Sequence, residues 1–390
     1  MIIGIDGNEA NVEKRVGISE YAYQLLREFS ELQTSSIRQV QDLRDIEFRI
    51  YLKDEPLDDL PKVGHGWSYH ILKPGKLWTQ WRLPLDLYLH KSRPDVFFSP
   101  THYAPRFSPV PTVMSVMDLS YLYFPELFKK ADLMQLQSWT AYSVKKAKRV
   151  LTISNSSRDD IIKEYEVGSD RVTTIYPGVK DTLSLVPHVY GMNELESKYS
   201  ISKKFVLFVG TLQPRKNISR LIEAFNEVIK SSSHKVKKSG EDLELVIVGK
   251  KGWLYEDILA APKKLGIEDR VKFLEGVTDG ELTLFYKNAL CCVLPSLYEG
   301  FGLPVLEAMQ HGCPVITSNI SSLPEAGGDA ALYVDPENVT DIAEKIQKLV
   351  SDEKLRNELI EKGYKQVKKF SWEKTAKATL KVLEEVAKQK

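Results

Sequence analysis

The sequence predicts an α/β protein built from two doubly wound parallel-sheet domains, and three observations predict it. Short, continuously apolar runs rich in β-branched residues recur along the chain, too brief to be helices. Amphipathic helical patterns fall between them, as expected for strands covered by helices on both faces. The rhythm weakens once, between about residues 180 and 200, which divides it into two series. With 390 residues, each half is long enough to bury a core of its own.

Taken in order, the first series reads "MIIGID", "IEFRIYL", "SYHIL", "PDVFFSP", "TVMSVMDL", "RVLTIS" and "VTTIYPG". A helix is expected from Ile18, because Tyr21, Ala22, Leu25, Leu26, Phe29 and Leu32 follow the 3.6-residue period. After Gly178 a polar stretch runs to about Ser202. The second series then reads "FVLFVG", "LELVIVG", "VKFLEG", "NALCCVLPS", "CPVITSN" and "AALYVD", with Ile218, Leu221, Ile222, Phe225 and Ile229 marking one of its helices. The expected boundaries are an N-terminal domain over 1–178, a linker over 179–203 and a C-terminal domain over 204–372. A last helix over 373–390, with Ser371 as its N-cap, is expected to return to the N-terminal domain. The polar segments "QTSSIRQVQDLRD" and "SSSHKVKKSGED" interrupt the rhythm and are expected as mobile surface loops. No internal repeat or low-complexity tract is present.

Several function classes lose support at once. Hydrophobic content of 43%, charged content of 27% and a formal net charge of +1 suit a globular protein with no global attraction to nucleic acid. The three cysteines, Cys291, Cys292 and Cys313, lie in apolar sequence without C-x-x-C spacing, which favours buried thiols over a metal site. The chain opens on a strand-like run rather than a basic-plus-apolar leader, and no apolar run reaches the roughly 18–20 residues of a membrane span, so a cytoplasmic location is expected. Neither series carries G-x-G-x-x-G after its first strand, which removes the main support for a dinucleotide-dependent oxidoreductase. No two aspartates stand two positions apart, so the metal-binding D-x-D signature is missing and neither metal nor cofactor is expected.

The stretch "LPSLYEGFGLPVLEAMQHG", Leu294 to Gly312, concentrates chemistry. A strand should end in "CCVLPS", "LYEGFG" should be a loop, Pro304 suits a first helical turn and Gly312 suits the stop. The amides of Gly302 to Val305 are then expected as donors at a positive helix end, suited to a phosphate. Glu307, one turn in, could accept from two neighbouring ribose hydroxyls, and Glu299 from hydroxyls of a sugar. Taken alone, the pair admits a simpler reading, in which Glu307 complements a helix dipole and Glu299 is a solvated loop acid. The turn "GTLQPRKN" adds Gly210 and Thr211 at a strand end, then Arg215 and Lys216, two cations able to clamp a diphosphate, with Asn217 as an expected N-cap. By itself that turn could be a solvated basic loop. A diphosphate clamp and a ribose-holding acid together describe a nucleotide-sugar pocket.

On "GTLQPRKN", "PSLYEGFGLPVLEAMQHGCPVITSN" and "SSLPEAGGDAALYVDP", the sequence resembles the retaining glycosyltransferases of family 4, which have the GT-B fold of two Rossmann-like domains facing a central cleft. The resemblance extends through "NEANVEKRVGISEY", "RLPL", "PDVFFSPTHYAP", "VMDLSYLYFPELF", "TISNSSRDDI", "IYPGV" and "FSWEKTA", and is strongest over 205–336. Some elements look most like the mannosyltransferase branch that builds surface polysaccharides. The resemblance implies that Glu299 meets the donor sugar, Glu307 the ribose, and Arg215 and Lys216 the diphosphate. Gly17 would bring backbone close to the donor. Pro295, Ser296, Gly300, Phe301, Gly302 and Leu303 would form the loop around sugar and phosphate. His102, in "SPTHYAP", matches a histidine near the transferred sugar, although a lone cleft histidine is otherwise most often structural. Met117 stands where the family often has histidine, which leaves Asp118 as an acceptor-side base or a loop cap.

The implied reaction transfers a hexose from a GDP- or UDP-sugar to a hydroxyl of a saccharide or lipid-linked acceptor with retention, by a front-side route through an oxocarbenium-like state, without metal. Two alternatives stay open on sequence: an epimerase of the same architecture, which would turn over donor without acceptor, and a non-catalytic nucleotide-sugar binder. "AYSVKKAKRV" clusters Lys145, Lys146, Lys148 and Arg149 after Leu133, Met134, Leu136 and Trp139, either a peripheral membrane contact or the wet end of a buried helix. Trp78 and Trp81 could stack on an acceptor sugar or fill the core, the core being expected for at least one.

Overall fold

In a computed structural model of the protein, residues 1–34, 45–180, 192–201, 204–235 and 243–389 are described. Most of the two polar segments expected as loops lies outside them.

The chain divides into two compact units: one of residues 1–123, 129–178 and 370–390, the other of 124–128 and 179–369. The first unit runs β1 (Ile2–Asp6), α1 (Ile18–Thr34), β2 (Glu47–Leu52), β3 (Trp67–Ile71), α2 (Leu83–Leu89), β4 (Val96–Ser99), β5 (Thr112–Val116), α3 (Ser120–Tyr123), α4 (Lys130–Lys146), β6 (Arg149–Thr152), α5 (Asn155–Tyr165) and β7 (Val172–Thr174). The second runs α6 (Met192–Tyr199), β8 (Lys204–Val209), α7 (Ile218–Lys235), β9 (Leu243–Val248), α8 (Glu256–Leu265), β10 (Val271–Leu274), α9 (Asp279–Asn288), β11 (Cys291–Leu294), α10 (Leu303–Gln310), β12 (Val315–Ser318), α11 (Leu323–Gly327), β13 (Ala331–Val334), α12 (Val339–Ser351) and α13 (Glu353–Val367). The closing helix α14 (Trp372–Ala387) belongs to the first unit.

Both sheets are parallel throughout, in the orders β3-β2-β1-β4-β5-β6-β7 and β10-β9-β8-β11-β12-β13. In each, the strand order reverses beside the first strand of its series, which is the switch point where open sheets of this kind bind ligands.

Continuous apolarity follows from burial on both faces: β4, β5, β9, β11 and β12 are buried at every residue. Helix α1 buries the expected apolar face, with Phe29 stacked on Phe48 of β2. Helix α14 starts at its Ser371 cap, whose hydroxyl accepts from Lys374 N, and sets Trp372 edge-on to Tyr21 at 5.9 Å. Ala376, Leu380, Leu383 and Val386 complete that core. Such packing of an amphipathic face, rather than helix propensity, stabilises a terminal helix.

Within the stretch expected as a linker, α6 packs against α9, with Leu195 and Ile201 buried and Tyr199 against Phe285 at 5.3 Å. Apolar residues spaced through a polar sequence are enough to anchor one helical face. The two tryptophans divide: Trp78 is 2% exposed and donates from Nε1 to Leu72 O, whereas Trp81 is 70% exposed. All three cysteines are free and buried, and burial pushes the Cys291 thiol up to about 12, keeping it protonated.

Candidate active site

The second unit gathers most of the predicted residues at the ends of β8 and β11. Where β8 ends, Gly210 N donates to Val248 O at 2.9 Å. Gly249 lies so close that a Cβ on it would stand 1.9 Å from Gly210 O. Half-buried Thr211 follows, and Pro214–Lys216 form one 3₁₀ turn.

Asn217, directly before α7, departs from the expected N-cap. Its backbone is left-handed (φ +60°), whereas a cap needs extended backbone to aim its oxygen at the first-turn amides. Its amide instead donates to Pro295 O (3.0 Å) and Pro336 O (2.6 Å), and its Oδ1 accepts from Arg220. One side chain thus ties three strand-end loops together.

At the centre of the site is Glu299, 6% exposed, which rules out the solvated-acid alternative. Its Oε1 pairs with Lys216 Nζ and accepts from Ser296 Oγ at 2.8 Å, and its Oε2 lies 3.2 Å from Arg215 Nη1. Arg215 Nη1 also donates to Tyr298 O at 2.9 Å. With its amide oxygen turned toward the guanidinium, Gln213 accepts from Arg215 Nε at 3.1 Å and Nη2 at 3.2 Å. The backbone of Glu299 is clamped as well: Ser321 and Ser322 hydroxyls each donate to its carbonyl at 2.8 Å, and Ser318 Oγ donates to Ser296 O. Burial alone would raise the Glu299 carboxyl, but Lys216 and then Arg215 hold it down to about 2. Lys216 is only 7% exposed, so this is a buried cluster of two cations and one anion, with a net charge of +1.

The loop then runs through buried Gly300 and Phe301 to Gly302, whose φ is +98°. An added Cβ there would meet Leu323 Cδ2 at 2.7 Å, so both backbone and neighbour require glycine. Half-buried Leu303 opens α10, and Pro304 sits in its first turn. The expected set of phosphate donors contracts. Proline has no N–H, and Val305 N is occupied by Gly302 O at 2.9 Å, which leaves the expectation on Gly302 and Leu303. Gly312, at φ +73°, ends the helix as expected.

Glu307 is half-buried on α10 and accepts from Tyr286 Oη at 3.1 Å. Tyr286, from α9, stacks on His311 at 5.6 Å and 13°, and His311 Nδ1 donates to Glu307 O at 2.7 Å. Burial, reinforced by the Glu307 charge, pushes the Tyr286 hydroxyl well above its ordinary value, so it stays a donor. Tyr286 and His311 escaped the sequence reading, because a tyrosine on an amphipathic helix carries no mark of the carboxylate it will support.

The first unit holds the other three predicted residues. Gly17, just before α1, has φ +57° and nothing within 4 Å of where a Cβ would be. His102, in the loop after β4, has a buried Nδ1 without a hydrogen-bond partner among the described residues, and its ring stands edge-on to Tyr121 at 6.0 Å. Burial lowers its basicity, opposed by the charge of Asp118. Asp118 accepts from Ser120 N at 2.8 Å, which is the loop-cap role among its two expected ones.

The family model for glycosyl transferases group 1 matches residues 193–366, and that for glycosyltransferase family 4 matches 17–183. The chain is 34% identical to O-antigen chain mannosyltransferase B of Escherichia coli over 271 residues, covering 69% of this chain and 68% of that one. It is 30% identical to O-antigen chain mannosyltransferase RfbU of Salmonella typhimurium over 229 residues, covering 58% of this chain and 57% of that one. The fold is like that of sucrose-phosphate synthase from Thermosynechococcus elongatus, with a TM-score of 0.72 at 18% identity, covering 99% of this chain and 98% of that one. Two matched family models and two Rossmann-like parallel sheets make this a GT-B protein, and the chain belongs to the family 4 glycosyltransferases.

Proposed function

We propose that the protein transfers a hexose, mannose before glucose, from a nucleoside diphosphate sugar to a hydroxyl of a saccharide or lipid-linked acceptor, with retention and without metal. The observation that carries this reading is the buried cluster of Arg215, Lys216 and Glu299 beside the N-terminal turn of α10. Arg215 and Lys216 would clamp the diphosphate and take up the charge that develops on the leaving phosphate, the part a metal ion plays elsewhere. Glu299 already accepts from both cations, so its oxygens are oriented before a donor arrives and could then accept from sugar hydroxyls. Glu307, supported by Tyr286, would receive the ribose hydroxyls. The leaving phosphate oxygen would take the acceptor proton, so no side chain need act as a covalent nucleophile. The acceptor is assigned to the first unit, with Asp118 on the acceptor side and His102 near the transferred sugar. Mannose is favoured by the two O-antigen mannosyltransferases at 30–34% identity.

A cytoplasmic protein with peripheral membrane contact is part of the proposal. Among the described residues no helix is long and apolar enough to cross a membrane.

The test is a panel of GDP- and UDP-hexoses with the purified protein, with and without EDTA, and the product anomer read by NMR. Saturable use of one donor, unaffected by chelation and giving a retained linkage, is expected. Arg215→Ala with Lys216→Ala should cost at least about a hundredfold in turnover, the scale of losing charge-stabilising donors. Activity lost to EDTA and restored by Mg²⁺ would defeat the metal-free route.

A further inference from the structure

The helical segment after β3 has two faces of opposite use. Trp78, Leu83 and Leu87 point inward and join Tyr51, Leu72, Phe97 and Val110 in a buried cluster. The outer face presents Leu77, Trp81, Leu85, Tyr88 and Leu89, all exposed, with Leu89 at 73%. Four of these, 77, 81, 85 and 89, recur every fourth residue. A π-helical turn over Trp78–Arg82, in which Leu83 N bonds Trp78 O, joins them to α2. Phe107 is 66% exposed at φ +50°, and its neighbour Arg106 bonds through its amide to Thr79 O at 3.1 Å.

An outward apolar stripe containing a tryptophan is unusual on a soluble surface and marks an interaction site. The charges around it say with what. From Lys73 to Arg93 there are five lysines and arginines against one acid, Asp86. Lys73, Lys76, Lys91 and Arg93 are exposed at the two ends of the stripe, while Asp86 faces Arg82 at 3.8 Å. Arg93 lies along Tyr88, its guanidinium 6.0 Å from the ring. Cations framing an apolar stripe with an interfacial aromatic match a bilayer whose headgroups are anionic. Helix α4, the basic segment singled out in the sequence, offers less: its Leu133, Leu136 and Trp139 are half-buried and Met134 alone of that set is exposed.

We infer that the outer face of residues 77–89 docks the first unit on an anionic lipid surface, with Leu77, Trp81, Leu85 and Leu89 entering the headgroup–acyl boundary and Lys73, Lys76, Lys91 and Arg93 meeting phosphates. The inference deepens the peripheral membrane contact of the proposed function by naming its surface and its lipid class, and rests on that function for its purpose, the delivery of a lipid-linked acceptor. The surface itself belongs to the first unit.

The test is co-sedimentation of the full chain with vesicles of phosphatidylcholine containing about one-third phosphatidylglycerol, and with phosphatidylcholine alone. Wild type should bind the anionic vesicles and not the neutral ones. Leu85→Glu with Leu89→Glu should weaken binding at least about tenfold, because it sets two charges in the apolar boundary. Lys73→Glu with Lys76→Glu should weaken binding and flatten its salt dependence. Quenching by brominated lipid should fall in Trp81→Phe. Donor binding, which the proposed function places chiefly on the second unit and on none of the substituted residues, should be unchanged in all variants and reports separately on the transferase reading. Wild type that ignores anionic vesicles, or a Leu85→Glu/Leu89→Glu protein that binds them as well as wild type, overturns the inference. So does a concentration-dependent dimer abolished by Leu85→Glu, which would give the stripe to a second copy.

Discussion

Replacing Glu299 by glutamine removes the charge that neutralises two buried cations while keeping the side chain's shape. The folded carboxyl is held at about 2 against an ordinary value of 4.5, which corresponds to about 3 kcal/mol of stabilisation at neutral pH. Truncating one partner of a buried pair typically costs about 3–5 kcal/mol, because the remaining charge, here chiefly Lys216, stays buried and uncompensated. Both routes predict a loss near 3 kcal/mol, which lowers the melting temperature by roughly 6–12 °C for a unit of this size. The sign of the pH dependence follows from a depressed folded value: the contribution is present above pH 4.5 and is lost as pH falls toward 2. The gap between wild type and Glu299→Gln should therefore be full at pH 7 and close progressively below pH 4.5. Ligand binding should move the other way. With Lys216 and Arg215 no longer shared with a carboxylate, affinity for the free nucleoside diphosphate should be retained or rise, while kcat falls because the sugar loses its acceptor. Urea denaturation across pH, with calorimetric titration of the diphosphate, reads all three. A stability change below about 1 kcal/mol at pH 7, or a gap that does not narrow in acid, would show that the cluster does not hold the unit together as described.

Other expectations are as direct. Glu307→Ala should lower donor affinity by about one to three powers of ten with kcat changed less, since charge-assisted hydrogen bonds are worth roughly 1.5–3 kcal/mol each; a 2′-deoxyribose donor should reproduce part of the loss, and unchanged diphosphate binding would reduce Glu307 to a dipole partner. Gly302→Ala should destabilise by about 1–3 kcal/mol, because it combines left-handed backbone with a methyl 2.7 Å from Leu323 Cδ2, and an unshifted urea midpoint would mean the loop yields freely. Asp6, at the end of β1, is pushed up by burial to about 6 despite its hydrogen bonds from Asn8. Its folded value exceeds the ordinary 3.8, so wild type should lose stability as pH rises from about 4 to 6, and Asp6→Asn should lack that slope in thermal melts.

Much of the fold was legible because it is written in neighbouring residues. Each of the thirteen apolar runs coincides with a strand to within a residue or two, and the helix expected from Ile18 begins there, since continuous apolarity records burial on both faces and a 3.6-residue period records which face a helix buries. Ser371 as a cap and Gly312 as a stop were equally local, each defined by the backbone of a few adjacent residues. The candidate site was legible as composition: two cations in one loop, two acids in another.

What the sequence by itself determined, then, is which segments become strands and helices and which polar residues end up at strand termini. The partners of those residues were decided only by the tertiary structure. Arg215 and Glu299 are 84 residues apart in the chain, and their pairing exists because β8 and β11 are neighbours in the sheet. That adjacency makes Glu299 a buried counter-ion, while the packing of the other strand-end loops and helices turns Asn217 from a cap into a tie between three loops and sets Tyr286 of α9 against Glu307 of α10. Trp78 and Trp81, three residues apart, went one to the core and one to solvent, because only Trp78 meets the packed cluster of Tyr51, Leu72 and Phe97. Periodicity specifies that a face is buried, but only the packed neighbours specify what a given side chain meets there.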